Sequence, residues 1–401
     1  MKPEPPTTIC DTSSVAEWLT DGARSALAPH QVLAQGCERL VACGVPLWRV
    51  GVFVRTLHPH VIGRRYLWRP QAEVVRTAAP FELLETADFR ESPVVHVQET
   101  GRALRRKLAD RDCAIDFPLL AELREEGVTD YLASPLFFTD GAIHSASWST
   151  RRPGGFTDAQ IAGIEAVAAP LARVTESLVL RGIATTLLDT YVGHQAGERI
   201  LAGHIRRGDV EEIDAAIWLS DMRGFTPLAD RLPPRVLIGL LNRYFDCQVP
   251  AILAQGGEVL KFIGDGLLAI FPLAENGAAL ACAAALAAAR EAQTNILALA
   301  GDTGIDDVGG VGFGLALHIG RVLYGNIGGG NRLDFTCIGP AVNLAARIEA
   351  LAGRLGRAIL ASADFARHCP DDFAEIGEFA LAGFAAPQLV FGLREAGGGG
   401  G

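Results

Sequence analysis

Asp221 and Asp265 are the residues whose surroundings best suit chemistry. Asp221 ends the run Ala216-Ile217-Trp218-Leu219-Ser220-Asp221-Met222-Arg223-Gly224-Phe225-Thr226, which reads as a buried strand with a carboxylate at its mouth. Asp265 lies in Gly264-Asp265-Gly266, between the apolar runs Val259–Ile263 and Leu267–Phe271, a hairpin signature. Two carboxylates on adjacent strand ends, beside a glycine turn whose amides face outward, can hold a divalent cation and a nucleoside triphosphate. Singly, each acid has a plainer role: Asp221 caps the next turn, and Asp265 fills a hairpin position that favours Asp.

A third stretch, Arg332 to Glu349, runs strand, glycine, proline, helix. With Pro340 at the helix start, Asn343 and Arg347 lie four apart and project from one face. In order and spacing the three stretches resemble the catalytic domain of class III nucleotidyl cyclases, over about residues 213–393. The resemblance implies an α+β, ferredoxin-like domain that converts ATP to 3′,5′-cyclic AMP and pyrophosphate. It implies two Mg²⁺ or Mn²⁺ per site, held by Asp221 and Asp265 with the Met222 carbonyl as a third contact. The backbone amides of Arg223, Gly224, Phe225 and Thr226 would hold the triphosphate. Asn343 would take the ribose oxygen, and Arg347 the charge developing on the α-phosphoryl, a role suited to a guanidinium fork.

Base choice falls by resemblance to Lys261 and Thr336. A lysine donates to adenine N1 and a hydroxyl accepts from N6, whereas guanine presents the opposite pattern. Thr336, not Cys337, stands three residues before Gly339, where the family keeps its selector. Family members draw the metal acids and the transition-state residues of one site from different protomers, so a single chain with both sets implies a homodimer. Two departures stand out. Pro340 replaces the usual Asp after Ile-Gly. Ala382 replaces the lysine of a Leu-Lys-Gly segment that contacts the terminal phosphates, leaving Arg223, Arg321 or Arg332 to substitute, or a weaker hold on triphosphate. Guanylate cyclase and a catalytically degenerate nucleotide-binding module remain the alternatives.

The elements that must position these residues follow from the rest of the chain. At 401 residues it is long enough for two or three domains of about 150 residues. A hydrophobic content of 49% and a charged content of 20% describe a folded globular protein. A net charge of -10 argues against a general nucleic-acid binder, which needs a basic face. The eight cysteines form no Cys-x-x-Cys pair or zinc spacing and read as reduced, in a cytoplasmic protein. Met1 to Pro6 lacks the apolar core of a secretory signal, and the alanine-rich stretch Ala278 to Ala300 suits a packed helix rather than a membrane span.

Residues 1–14 read as a flexible tail and 397–401 as a glycine tail. Helices are expected over Val15–Leu27 and His30–Cys43, and strands over Leu47–Leu57, Val61–Trp68 and near Val74. A hairpin, Tyr131–Phe138 with Ile143–Thr150, precedes a long helix capped by Thr157. This order resembles a GAF-type sensor domain over residues 15–180, implying an α+β regulatory domain open to a small-molecule ligand; a structural or dimerising domain without a ligand is the alternative. Residues 181–212 read as a linker of short helices interrupted by Gly182 and Gly193, and 213–396 as the catalytic domain. His58, His60, His96 and His144, with Cys37, Cys43 and Cys113, lack ligand spacing and read as hydrogen-bonded or surface groups. Trp48, Trp68 and Trp148 read as core aromatics, and Arg105-Arg106-Lys107 as a solvated face.

Overall fold

The computed structural model describes residues 11–273, 277–301, 311–330 and 332–394. Both expected tails lie wholly or largely outside these residues. The chain divides into two compact units, Met1–Leu187 and Leu188–Gly401.

The first unit opens with α1 (Ser13–Thr20) and α2 (Pro29–Ala42). The first helix ends at Thr20 and not near Leu27, because Gly22 turns at φ +88°. Strands β1 (Arg49–Arg55), β2 (Val61–Trp68) and β3 (Val75–Pro80) follow. Residues 81–125 then form a 3₁₀ turn (Phe81–Glu85), α3 (Ala87–Arg90), α4 (Pro93–Thr100), β4 (Leu104–Arg106) and α5 (Pro118–Glu125). The hairpin β5 (Asp130–Phe137) and β6 (Ile143–Thr150) completes an antiparallel sheet of order β3-β2-β1-β6-β5-β4. Period-2 alternation gives this sheet two unlike faces. Val50, Val52, Val54, Tyr66, Trp68, Leu132, Leu136 and Trp148 form one apolar core with α1, α2 and the helix α6 (Asp158–Val192). The opposite face carries small and polar residues, including Gly51, Ala133, Ser145 and Ser147.

Two further readings of this unit need correction. α6 runs 35 residues straight through Gly182, and only Gly193, at φ +91°, ends it. One interior glycine costs about 1 kcal/mol, which the surrounding helix formers outweigh. Arg105 is no solvated residue: its guanidinium lies 2.7 Å from the fully buried Asp130 carboxylate and donates to the Phe156 carbonyl. Trp48 is half-buried, packed against the core of Leu104, Leu120 and Tyr131 with the Arg151 guanidinium 3.5 Å from its ring centre, while Trp68 and Trp148 are fully buried.

The second unit begins with α7 (His194–Leu201), followed by β7 (Val210–Arg223), α8 (Phe225–Arg231), α9 (Pro234–Asp246) and α10 (Val249–Ala254). The hairpin β8 (Glu258–Ile263) and β9 (Gly266–Pro272) leads to α11 (Gly277–Gly301). Then come β10 (Gly312–Gly329), β11 (Arg332–Ile338), α12 (Pro340–Leu355), β12 (Ile359–Ser362), α13 (Ala363–Ala366), β13 (Phe373–Phe379) and β14 (Gln388–Leu393). The sheet runs β13-β14-β12-β10-β7-β9-β8, with β11 on β10. The unit is α+β, with β10 and β12 parallel and the other pairs antiparallel. Trp218, Tyr244, Phe271, Leu315 and Phe365 anchor its largest core, between α9–α11 and the sheet. Leu237, Leu240, Leu241, Tyr244 and Phe245 of α9 face that core, but Val236 is exposed, one step off the buried stripe. No helix among the described residues is long and apolar enough to cross a membrane.

Candidate functional site

β7 lies between β10 and β9, so its C-terminal end is held on both sides. The last β7–β9 pair is Ser220 with Leu267, and Asp221 follows at once. Across from it, Ile263 pairs with Gly266 and leaves Gly264 and Asp265 as the hairpin tip, with Gly264 at φ +64°. A Cβ on Gly266 would sit 2.9 Å from the Ser220 carbonyl and 3.5 Å from Asp221 Oδ1. Glycine there lets the tip close onto the end of β7 and brings the two acids together.

Burial pushes the Asp221 carboxyl up to about 6, and a hydrogen bond and like charge from Asp265 add to this. Glu349 acts in the same direction and Arg223 opposes. Two half-buried acids that repel each other are what a cation between them would relieve, and their hard oxygens suit Mg²⁺ or Mn²⁺. The pair therefore fits a divalent metal. Among the described residues no group of three or more His, Cys, Asp or Glu is placed to hold one. Further ligands would come from main-chain carbonyls, substrate oxygens and water. The Met222 side chain is packed in the core, so only its carbonyl is on offer.

After Arg223 the chain turns through Gly224 at φ +78° into α8. Gly224 and Thr226 are exposed and Phe225 packs partly on the core. No side chain caps this helix start, which leaves its first amides open. The Arg223 side chain itself turns inward, its Nη2 2.6 Å from Glu349 Oε1 and 3.1 Å from the Glu349 carbonyl. It is committed there and is not a free substitute for the lysine missing at Ala382. Arg321 pairs with Asp214 and Glu212, whereas Arg332 is exposed without an ion pair among the described residues.

Lys261, on β8, reaches across to β11 and lies 3.4 Å from Asp334 Oδ2. Thr336 stands two residues further on the same strand, hence on the same face. It is 3% exposed, and its Oγ1 has no hydrogen-bond partner among the described residues. Asp334 escaped the sequence reading; the period of two along β11 was the signal that could have found it. Cys337 is buried, which pushes its thiol up to about 12. Asn343 and Arg347 sit on the exposed face of α12, and their side chains make no hydrogen bond or ion pair among the described residues. Ala341, Leu344, Ala345 and Ile348 bury the other face, and Pro340 takes the first helical position as expected. The structure thus joins Asp221 to Asp265 and Lys261 to the β11 edge, and leaves the Asn343 and Arg347 side chains unpartnered among the described residues.

A second feature lies in the N-terminal unit. The small residues on the outer sheet face leave a cavity of about 450 Å³ under the 81–125 segment. Phe53, Leu67, Phe89 and Leu119 line it, with Arg49, Arg65, Tyr131 and Ser145. Ser145 Oγ is buried without a partner among the described residues, the Tyr131 hydroxyl is buried beside Ser147, and burial holds Arg49 below the usual arginine range. Neither arginine makes an ion pair among the described residues. His144, by contrast, is a satisfied core residue, its Nδ1 accepting from the Arg55 amide.

Residues 210–367 match the family described as the adenylate and guanylate cyclase catalytic domain. An adenylate cyclase of Anabaena cylindrica is 32% identical over 160 residues, 39% of this chain and 32% of that protein. Adenylate cyclase 1 of Rhizobium meliloti is 27% identical over 175 residues, 43% of this chain and 26% of that protein. The chain spans about a third or less of the length of these curated relatives. The crystal structure of the adenylyl cyclase CyaB from P. aeruginosa is 26% identical and covers 48% of this chain and 99% of that one, with a TM-score of 0.43. The C-terminal unit, with its paired acids at the β7 end and the Asn343 and Arg347 helix, belongs to the class III adenylate/guanylate cyclase catalytic domains.

Proposed function

We propose that the chain is an adenylate cyclase acting as a homodimer, forming 3′,5′-cyclic AMP and pyrophosphate from ATP. The ribose 3′-oxygen bonds to the α-phosphorus, the bond to the bridging oxygen of the β-phosphate breaks, and the hydroxyl proton leaves to solvent. Mg²⁺ or Mn²⁺, two per site between Asp221 and Asp265, would stabilise charge on the entering and leaving oxygens. The backbone amides of Arg223, Gly224, Phe225 and Thr226 receive the triphosphate. Arg347 meets the charge growing on the α-phosphoryl and Asn343 orients the ribose. The observation that carries the adenine assignment is the buried, unpartnered Thr336 hydroxyl on the same strand face as the lysine-paired Asp334. It is an acceptor for the adenine amine, beside a Lys261 that donates to the ring.

The side chains of Asn343 and Arg347 have no partner among the described residues of their own chain, which supports a site completed by a second copy. The N-terminal unit is read as a GAF-like regulatory domain whose cavity takes a small anion with an apolar body, met by Arg49 and Arg65. The test is cyclic nucleotide formation from ATP and from GTP with Mn²⁺, by the full chain and by Asp221→Ala and Arg347→Ala. Each variant alone should be inactive on ATP. Mixed equally, they should recover roughly a quarter of wild-type activity, through one intact site per heterodimer. Failure to recover refutes the shared site, and no product from either nucleotide favours a binding module, for which Ala382 speaks. Preference for GTP refutes the base assignment.

A further inference from the structure

Arg223 occupies a lane cleared for it by three glycines. Gly312 and Gly314 on β10 pair with Arg223 and Asp221, so all four share one face of the sheet. A Cβ on Gly312 would stand 2.5 Å from Arg223 Cβ, and one on Gly314 would fall onto the guanidinium. On α12, Gly353 lies one turn beyond Glu349, and a Cβ there would be 3.1 Å from Arg223 Nη1. The side chain runs down this lane to Glu349, which is itself largely buried, with 12% of its side chain exposed. Both charges act electrostatically on Asp221. Glu349 stands two residues from Arg347, but on the opposite side of the helix.

We infer that the Arg223–Glu349 pair is a positioning device that balances the charge of the Asp221–Asp265 site and locks α12 to the end of β7. The inference rests on the reading of those acids as the metal site. Without the guanidinium, a third carboxylate stands uncompensated near the acid pair and draws a divalent cation more strongly, while α12 loses its anchor. Without the Glu349 carboxylate, the bare guanidinium repels the cation. A pair with a purely structural role predicts no such opposite changes.

The experiment measures Mn²⁺ affinity of the nucleotide-free full chain, from the electron-paramagnetic-resonance signal of the free ion, alongside turnover of ATP. Arg223→Met should bind Mn²⁺ roughly three- to tenfold more tightly, and Glu349→Gln weaker by a similar factor. The double variant should return close to the wild-type affinity. Turnover should fall in both single variants. Arg223→Lys keeps the charge and loses the fork, so its Mn²⁺ affinity should hold while kcat falls, and thermal melting identifies any variant that has failed to fold. Weakened Mn²⁺ binding in Arg223→Met, or a double variant no nearer to wild type than the singles, overturns the inference. Asp221→Asn separates the two readings: if it leaves Mn²⁺ binding unchanged, the metal assignment itself fails, whatever Arg223 does.

Discussion

Replacing Thr336 by Val removes one hydroxyl and keeps the shape of the side chain. Thr336 is 3% exposed and its Oγ1 has no partner among the described residues. A buried polar group left unpaired costs about 1–3 kcal/mol, so removing it leaves the free protein as stable as before, or more so. With ATP bound, the same hydroxyl accepts from the adenine amine, and its loss forfeits a similar amount. That corresponds to a fall in kcat/KM for ATP of roughly 5- to 150-fold. GTP gains little from the hydroxyl, because the Lys261 donor already faces the wrong edge of guanine, so the ATP to GTP ratio should fall by nearly the whole factor. The assay pairs kcat/KM on both nucleotides with a thermal melt of the free protein. An unchanged ratio refutes the base-selecting role. A melting temperature several degrees lower would instead show that Thr336 Oγ1 makes a structural bond. The double change Lys261→Glu with Thr336→Cys should carry preference from ATP toward GTP.

Other expectations follow from particular contacts. Gly266→Ala forces a Cβ to 2.9 Å from the Ser220 carbonyl, so the hairpin tip must move away from Asp221; kcat should drop roughly ten- to hundredfold without loss of fold, and an unaffected kcat would show that the tip has slack. Arg105→Ala leaves the fully buried Asp130 carboxylate with the Phe156 amide as its one donor among the described residues, which should destabilise the N-terminal unit by about 3–5 kcal/mol in denaturant unfolding. His144 and His318 are buried and held down to about 4, against about 6.5 when unfolded. Because their folded values are depressed, their contribution is intact above pH about 6.5 and is lost as pH falls toward about 4. Melting temperature should decline across that window, and His144→Asn should make the decline of the N-terminal unit shallower; a slope unchanged by the variant would remove His144 from the account.

The site acids were legible because their neighbours constrain them locally. A glycine-flanked Asp between two apolar runs can only be a hairpin tip, and an acid closing an apolar strand can only sit at its end. The helix of Asn343 and Arg347 was legible for the same reason, with Pro340 fixing its start and a spacing of four fixing its face. What escaped were contacts between residues far apart in the chain. Asp334 beside Lys261 required β8 and β11 to be brought together. Arg105 looked like one cation in a charged run until β4 paired with β5 and set it against Asp130.

By itself, then, the sequence determined the types of the elements around the site, the hairpin tip, the helix face and the identity of the candidate acids, all consequences of backbone preference and periodicity over a few residues. The tertiary structure alone decided the partners: that Arg223 turns inward to Glu349 along a lane of glycines, that Thr336 is buried without a partner, and that α6 continues through Gly182. Each of these depends on which surfaces meet when sheets and helices pack. Burial and pairing energies between distant residues exceed the local propensities of about 1 kcal/mol that a sequence window can read.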